Sequence, residues 1–290
     1  MNDASALLLE LVRTPSPSGS EQAVASLLTA WAEEHHIEVM CDDVAVRLEV
    51  RGTEPGPTLM LASHLDTVPP GEGWTVDPYA GLVDGTRLTS RGAVDAKASV
   101  AAMATAAAQV AAGGGPTAGR LVVLATFSEE TSNTTMPEAL RRFGAPPEMA
   151  VIGEPTSLEP CIAQRGQVLL RPVWEGEQVH AGWAAGRHPK PVNAIVAAAA
   201  DLVALESVVF DRVHDLLGKV AVTPTKVSAG IARNVTPPRC SAVLDIRTTP
   251  SYSHAEVIAA IAGAVSARVE VISERLVPAE TPAGSGHCPL

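Results

Sequence analysis

TLMLASHLD, residues 58–66, decides the reading of the fold. Thr58 to Ala62 is a short, mostly apolar run without charge, the pattern of a β-strand covered on both faces. Ser63-His64-Leu65-Asp66 follows at once, where a buried strand delivers polar groups to its carboxyl end. RLVVLATF, residues 120–127, repeats the arrangement and leads into Ser128-Glu129-Glu130. Residues 149–152 form a third short strand, and Gly153-Glu154-Pro155 comes next. A helix over about 96–112 separates the first two strands, and another near 137–143 separates the last two. Strand, helix, strand, helix, strand predicts a mostly parallel sheet with crossover helices.

Upstream, a helix over 3–13 stops at Thr14-Pro15-Ser16-Pro17. Ser18-Gly19-Ser20-Glu21 reads as a capping box before a helix with Val24, Leu27, Leu28 and Trp31 on one face. Val44, Val46, Leu48 and Val50 alternate with Ala45, Arg47 and Glu49, which predicts a half-buried strand. After residue 165 the rhythm changes. Strand 167–174, helix 192–205, strands 219–227 and 240–247, helix 253–265 and strand 269–273 follow in turn. The second helix opens on another capping box, Ser253 to Glu256. This β-α-β-β-α-β order is the split-βαβ, ferredoxin-like motif of an α+β domain. The expected organisation is an α/β domain over 1–165, an inserted α+β domain over 166–275, and a returning segment over 276–290.

Composition excludes several functions. The 290 residues are 46% hydrophobic and 18% charged, ample for a folded core. A formal net charge of −11 and 3% aromatics argue against a nucleic-acid binder, since phosphate would be repelled and stacking platforms are few. Residues 98–119 carry no charge, yet they are mainly Ala, Gly and Thr and end in Gly113-Gly114-Gly115-Pro116. That suits a tightly packed helix of a soluble domain, not a membrane span. Cys41, Cys161, Cys240 and Cys288 lie far apart with no C-x-x-C pair, and no signal-peptide pattern opens the chain. A cytoplasmic location is expected.

The chemistry collects beyond strand ends. His64 and Asp66, Glu129 and Glu130, and Glu154 each follow a buried strand, and Asp95 stands where a helix begins. Parallel strands bring such ends to one edge, where ligands of open α/β sheets bind. Five carboxylates and one imidazole together would repel unless a divalent cation neutralised them, and this thiolate-free donor set suits zinc. Asp66, two residues beyond His64, is placed to accept the imidazole's second N–H. On an extended segment Glu129 and Glu130 point opposite ways, so one can ligate while the other takes a proton from water. Taken singly, each has a plainer reading: a loop histidine, a helix N-terminus at Glu129-Glu130, an N-cap at Asp95, a turn at Glu154. Their recurrence at one sheet edge favours the metal site. No G-x-G-x-x-G or G-x-x-x-x-G-K-[ST] follows any strand, so nucleotide binding is not expected.

SHLDTVPP, TSRGAVDAKAS, FSEETSN, IGEPT, GEQVHAG with Asn193-Ala194-Ile195, and RNVTPPRCSAVLDIR occur in an order and spacing that resemble the M20 metallopeptidase family. The resemblance implies a zinc-exopeptidase-like catalytic domain, an inserted lid and dimerisation domain, and a site holding two Zn2+, with Co2+ or Mn2+ as substitutes. By the same resemblance His64, Asp95 and Glu154 ligate one zinc, Asp95 bridges, and Glu130 serves the second. Glu129 is the general base, Asp66 the partner of His64, and His180 the oxyanion-stabilising histidine that a lid lends to the other subunit. Asn234 and Arg247 resemble the lid residues that grip the substrate carboxylate in the family; their plainer readings are a turn residue and a strand-edge charge. The implied activity is deacylation of an N-acyl amino acid, with N-acetylornithine in arginine or lysine biosynthesis expected first. Succinyl-diaminopimelate desuccinylase and an M20-type carboxypeptidase or dipeptidase are the alternatives.

The family closes its catalytic domain with a further segment that brings a histidine to the second zinc. Here residues 280–285 resemble the start of that segment, and the sequence ends at Gly286-His287-Cys288-Pro289-Leu290. His287 stands too early to be that ligand. The expectation is a C-terminal truncation with an impaired second site and uncovered sheet surface, leaving open a chain that only dimerises.

Overall fold

A computed structural model describes residues 3–131 and 134–282 of the chain. It divides into two compact units, Met1–Glu159 and Pro160–Leu290. His287 and Cys288 lie outside the described residues.

The first unit contains α1 (Asp3–Arg13), α2 (Gln22–Glu34), β1 (Glu38–Cys41), β2 (Ala45–Arg51), β3 (Glu54–His64), β4 (Leu82–Asp84) and β5 (Arg87–Thr89). It continues with α3 (Ala98–Ala112), β6 (Ala118–Thr126), α4 (Thr135–Phe143) and β7 (Met149–Ile152). The main sheet has the order β1-β2-β6-β3-β7. β6, β3 and β7 run parallel, while β2 is antiparallel to β6 and β1 to β2. β4 and β5 form a separate hairpin.

Alternate residues of β3 feed two cores. Leu59 and Leu61 pack with Leu7, Leu28, Val100 and Ala104 of the first three helices, whereas Met60 and Ala62 pack with Val122, Leu124 and Ala139 on the α4 side. This two-sided cover explains the unbroken apolar run. β2 differs from the half-buried expectation. Val46, Leu48 and Val50 face the first core, Val44 and Ala45 the second, and even Glu49 is buried between the Arg51 and Arg120 guanidiniums at 3.0 and 3.2 Å. Two alternating polar positions, Arg47 and Glu49, therefore mimicked a solvent face. At the other edge β7 is less covered than its apolar sequence suggested, with Val151 and Ile152 exposed.

The expected capping box before α2 does not form: Glu21 occupies the cap with no side-chain hydrogen bond to the helix. The C-terminus of α1 is closed by the fully buried Lys97, whose Nζ donates to the carbonyls of Leu11 and Thr14 at 2.9 Å each. Burial lowers its pKa to about 8.

The second unit holds β8 (Ala163–Gln164), β9 (Gly166–Glu175), α5 (Ala181–Ala184), α6 (Ala194–Ala204), β10 (Ala221–Ala229), β11 (Arg239–Thr248), α7 (His254–Ala264), β12 (Arg268–Leu276) and β13 (Ala279–Glu280). β9 to β12 form an antiparallel sheet ordered β10-β11-β9-β12, and β8 pairs with β13. Strict alternation along β11 buries Cys240, Ala242, Leu244 and Ile246 against the helix side. The Ser253–Glu256 capping box of α7 is complete.

Candidate metal centre

His64 ends β3 and is 1% exposed. Its Nε2 lies 3.2 Å from Asp95 Oδ1 and 3.9 Å from Glu154 Oε1. Ligand atoms of His64, Asp95 and Glu130 all lie within 4.8 Å of one another. The Asp95 and Glu154 side chains are about half exposed, at 51% and 42%, so a dry imidazole meets solvent-facing carboxylates.

Local structure explains the convergence. β6 runs parallel to β3, and His64 stands opposite Thr126, so Glu129 and Glu130 emerge beside it. β7 flanks the other side of β3. Its exit is held by the Gly153 N–H on the Ala62 carbonyl at 2.8 Å and by the Ser63 hydroxyl on the Gly153 carbonyl at 2.9 Å. A Cβ on Gly153 would sit 2.5 Å from Ser99 Cβ, so only glycine lets Glu154 approach α3 this closely. Asp95 lies in an irregular turn over Ala93–Lys97 with φ −118° and ψ 96°, ahead of α3. That turn begins at Gly92, where φ is +75° and a Cβ would sit 2.6 Å from Thr67 Cγ2, so a side chain is excluded. The Asp95 carboxylate is thus directed to His64 and caps no helix.

Asp66 is fully buried. Its carbonyl faces His64 Nδ1 at 3.0 Å and its carboxylate lies 3.4 Å from the same nitrogen. The expected contact therefore exists, with the backbone oxygen as the shorter partner. The carboxylate also accepts the N–H groups of Glu129 at 2.9 Å and Glu130 at 3.1 Å, and the Ser18 hydroxyl at 2.6 Å. The two glutamates therefore sit in a turn, with Ser128 at φ +52°, and not on an extended segment. Strand alternation does not set their directions. Ser18 and Glu21, read from sequence as cap residues, belong to this network: Glu21 Oε1 accepts the Ser128 N–H at 2.9 Å and hydroxyl at 3.2 Å.

Electrostatics mark the same cluster. Burial opposes the charged His64 ring, but Asp66, Glu154 and Glu129 outweigh it and push its pKa up to about 9. Burial, then the repulsion of Asp95, raises the Glu130 carboxyl despite the attraction of His64. Burial also raises Glu154, with His64 opposing and Glu129, Asp95 and Glu130 reinforcing the shift. Asp66 goes the other way. Burial pushes its carboxyl up, but the hydrogen bonds from His64, Ser18 and the two glutamate N–H groups bring it below the usual range. Crowded carboxylates with raised pKa values around one imidazole are the conflict that a divalent cation relieves, so the donor set fits such an ion.

In the second unit His180 caps α5, its Nδ1 accepting the Gly182 N–H at 3.2 Å. Its segment pairs with that of Asn234 through a His180–Val235 bridge and the Ala181 N–H on the Asn234 carbonyl at 2.8 Å. Arg247 is not part of this group. It stands at the far end of β11, with its guanidinium on Asp245 at 2.8 and 3.1 Å.

A family model described as peptidase family M20/M25/M40 matches residues 60–285. A relative named succinyl-diaminopimelate desuccinylase from Novosphingobium aromaticivorans is 34% identical over 235 residues, covering 78% of this chain and 58% of that protein. One of the same name from Gluconobacter oxydans is 32% identical over 273 residues, covering 89% and 70%. The chain thus spans between about half and three quarters of the length of these relatives. An M20 family metallo-carboxypeptidase from Sulfolobus solfataricus shares the fold with a TM-score of 0.73 at 15% identity, over 98% of this chain and 81% of that one. A protein from Bacillus subtilis described as a dinuclear metal binding peptidase from the M20 family has a TM-score of 0.65 at 18% identity, over 97% and 76%.

Proposed function

Because the chain belongs to peptidase family M20/M25/M40, we propose that it hydrolyses the amide bond of an N-acyl amino acid at a divalent-cation centre. The observation that carries this reading is the meeting of His64, Asp95 and Glu130 ligand atoms within 4.8 Å at the carboxyl ends of parallel strands. His64, Asp95 and Glu154 hold one ion, and Asp95 with Glu130 serves a second. Zinc is the ion proposed, with Co2+ and Mn2+ as substitutes. Bound there, such ions supply Lewis acidity for the amide carbonyl and make an attacking water more acidic.

The chain's own groups then divide the work. Asp66 holds the His64 ring through Nδ1, so that Nε2 faces Asp95 and Glu154. Glu129 takes the proton of the attacking water and returns it to the leaving amine. His180 is proposed to serve the site of the other subunit: with Nδ1 accepting from Gly182, a neutral ring offers Nε2 as the donor to an oxyanion. Asn234, beside His180, is proposed for the substrate carboxylate; Arg247, at the far end of β11 with its guanidinium on Asp245, is not placed to share that grip.

The relatives shift the expected acyl group. Three at 31–34% identity carry the name succinyl-diaminopimelate desuccinylase, so N-succinyl-diaminopimelate replaces N-acetylornithine as the first proposed substrate. Pairing of two chains through the second unit is also proposed. Ile195, Val196 and Val203 form an exposed apolar face on α6, and β10 is an edge strand of its sheet.

The test offers zinc-supplied protein N-succinyl-diaminopimelate, N-acetylornithine and a dipeptide panel. Turnover of the succinyl substrate is expected, falling about 10²- to 10⁴-fold in Glu129→Gln while bound zinc is unchanged. A folded dimer that cleaves none of them, or a Glu129→Gln variant of undiminished rate, overturns the reading.

A further inference from the structure

Ser18-Gly19-Ser20-Glu21 has the sequence of a helix cap, yet neither Ser18 nor Glu21 caps α2 with its side chain. Ser18 instead donates to Asp66. Glu21, 4% exposed, accepts at one oxygen the N–H of Gly19, the N–H of Ser128 and the hydroxyl of Ser128. Together with Asp66, this gives three consecutive backbone N–H groups, at residues 128, 129 and 130, aimed at two buried carboxylates from distant parts of the chain. Ser128 has φ +52°, a region that residues with a side chain rarely adopt without being held there. Asp66 grips the turn at 129 and 130, and the Glu21 contact holds its entry.

We propose that Glu21 is a positioning residue of the metal centre: with Asp66 it fixes the Ser128–Glu130 turn, and so the aim of the Glu129 and Glu130 carboxylates. It touches neither ion nor substrate. The proposal rests on the reading above, in which Glu130 is a ligand and Glu129 the proton acceptor. Among the described residues Glu21 has no cationic partner, and backbone and hydroxyl donors satisfy the buried carboxylate instead.

Two variants test it, Glu21→Ala and Glu21→Gln, each by amide hydrogen exchange on the metal-free chain and by zinc titration against a chromophoric chelator. Glu21→Gln keeps an oxygen acceptor in place and is expected to stay close to wild type. Glu21→Ala is expected to lose protection at the 128–130 amides and to bind zinc about 10- to 100-fold more weakly, with exchange in β9 to β12 unchanged. The proposal is overturned if Glu21→Ala binds zinc as tightly as wild type, if its 128–130 amides exchange as before, or if neither variant folds. Should wild type itself bind no zinc, the metal-centre reading falls and takes the proposal with it, whereas wild-type zinc binding with unaltered 128–130 protection in Glu21→Ala sinks the proposal alone.

Discussion

His64 shows how one residue carries a conflict that its ligand removes. The ring is buried, and without an ion the carboxylates around it hold its proton up to about pH 9. A cation needs the unprotonated nitrogen, so below that pH it must displace the proton. The sign follows: apparent metal affinity rises with pH up to about 9 and levels off above. Titration calorimetry in buffers of different ionisation enthalpy, near pH 7.5, should show close to one proton released per ion from this ring. A histidine at the usual 6.5 would release about a tenth. Release near that smaller figure contradicts the assigned environment. At this scale the sequence was legible where a polar group ends or follows a strand of the parallel sheet, as His64, Glu130 and Glu154 do. Ser18 and Glu21 were misread because a helix cap and a loop clamp use the same residue types at the same spacing, and only tertiary structure decides which amides lie within reach.

Elements set the aim of these side chains, and β7 does so through its exit. Gly153 bonds across to β3 and lies against Ser99 of α3, where a Cβ would overlap at 2.5 Å. Gly153→Ala should therefore cost about 1–3 kcal/mol of stability and displace Glu154, weakening zinc binding measurably in the same titration. An unchanged melting temperature and unchanged zinc affinity would show that the approach is not needed. Periodicity located β3, β6, β7, β9, β11 and the capped α7 because each buries a long enough pattern to be read locally. β1, the β4–β5 hairpin and the two-residue β8 and β13 were missed: they are short, and partners distant in sequence complete β8 and β13. β2 misled because Glu49 looked solvent-facing, whereas two arginines allow its burial.

For the whole molecule, family membership rests on a match over residues 60–285, while activity and assembly are proposals. Among the described residues no helix is long and apolar enough to cross a membrane. If α6 pairs two chains, Val196→Glu with Val203→Glu should convert a dimer to a monomer in sedimentation without loss of helical signal. A wild-type chain that sediments as a monomer at high micromolar concentration contradicts the pairing. Acidic and imidazole groups from three parallel strand ends and one helix entry meet, and are proposed to bind a divalent ion there. The most direct test of that binding is elemental analysis of wild type, His64→Ala and Asp95→Ala after equilibrium dialysis against zinc. At least one ion per wild-type chain is expected, and its loss from both folded variants. A folded wild-type chain without stoichiometric zinc, or variants that keep it, would show that these groups form no metal centre.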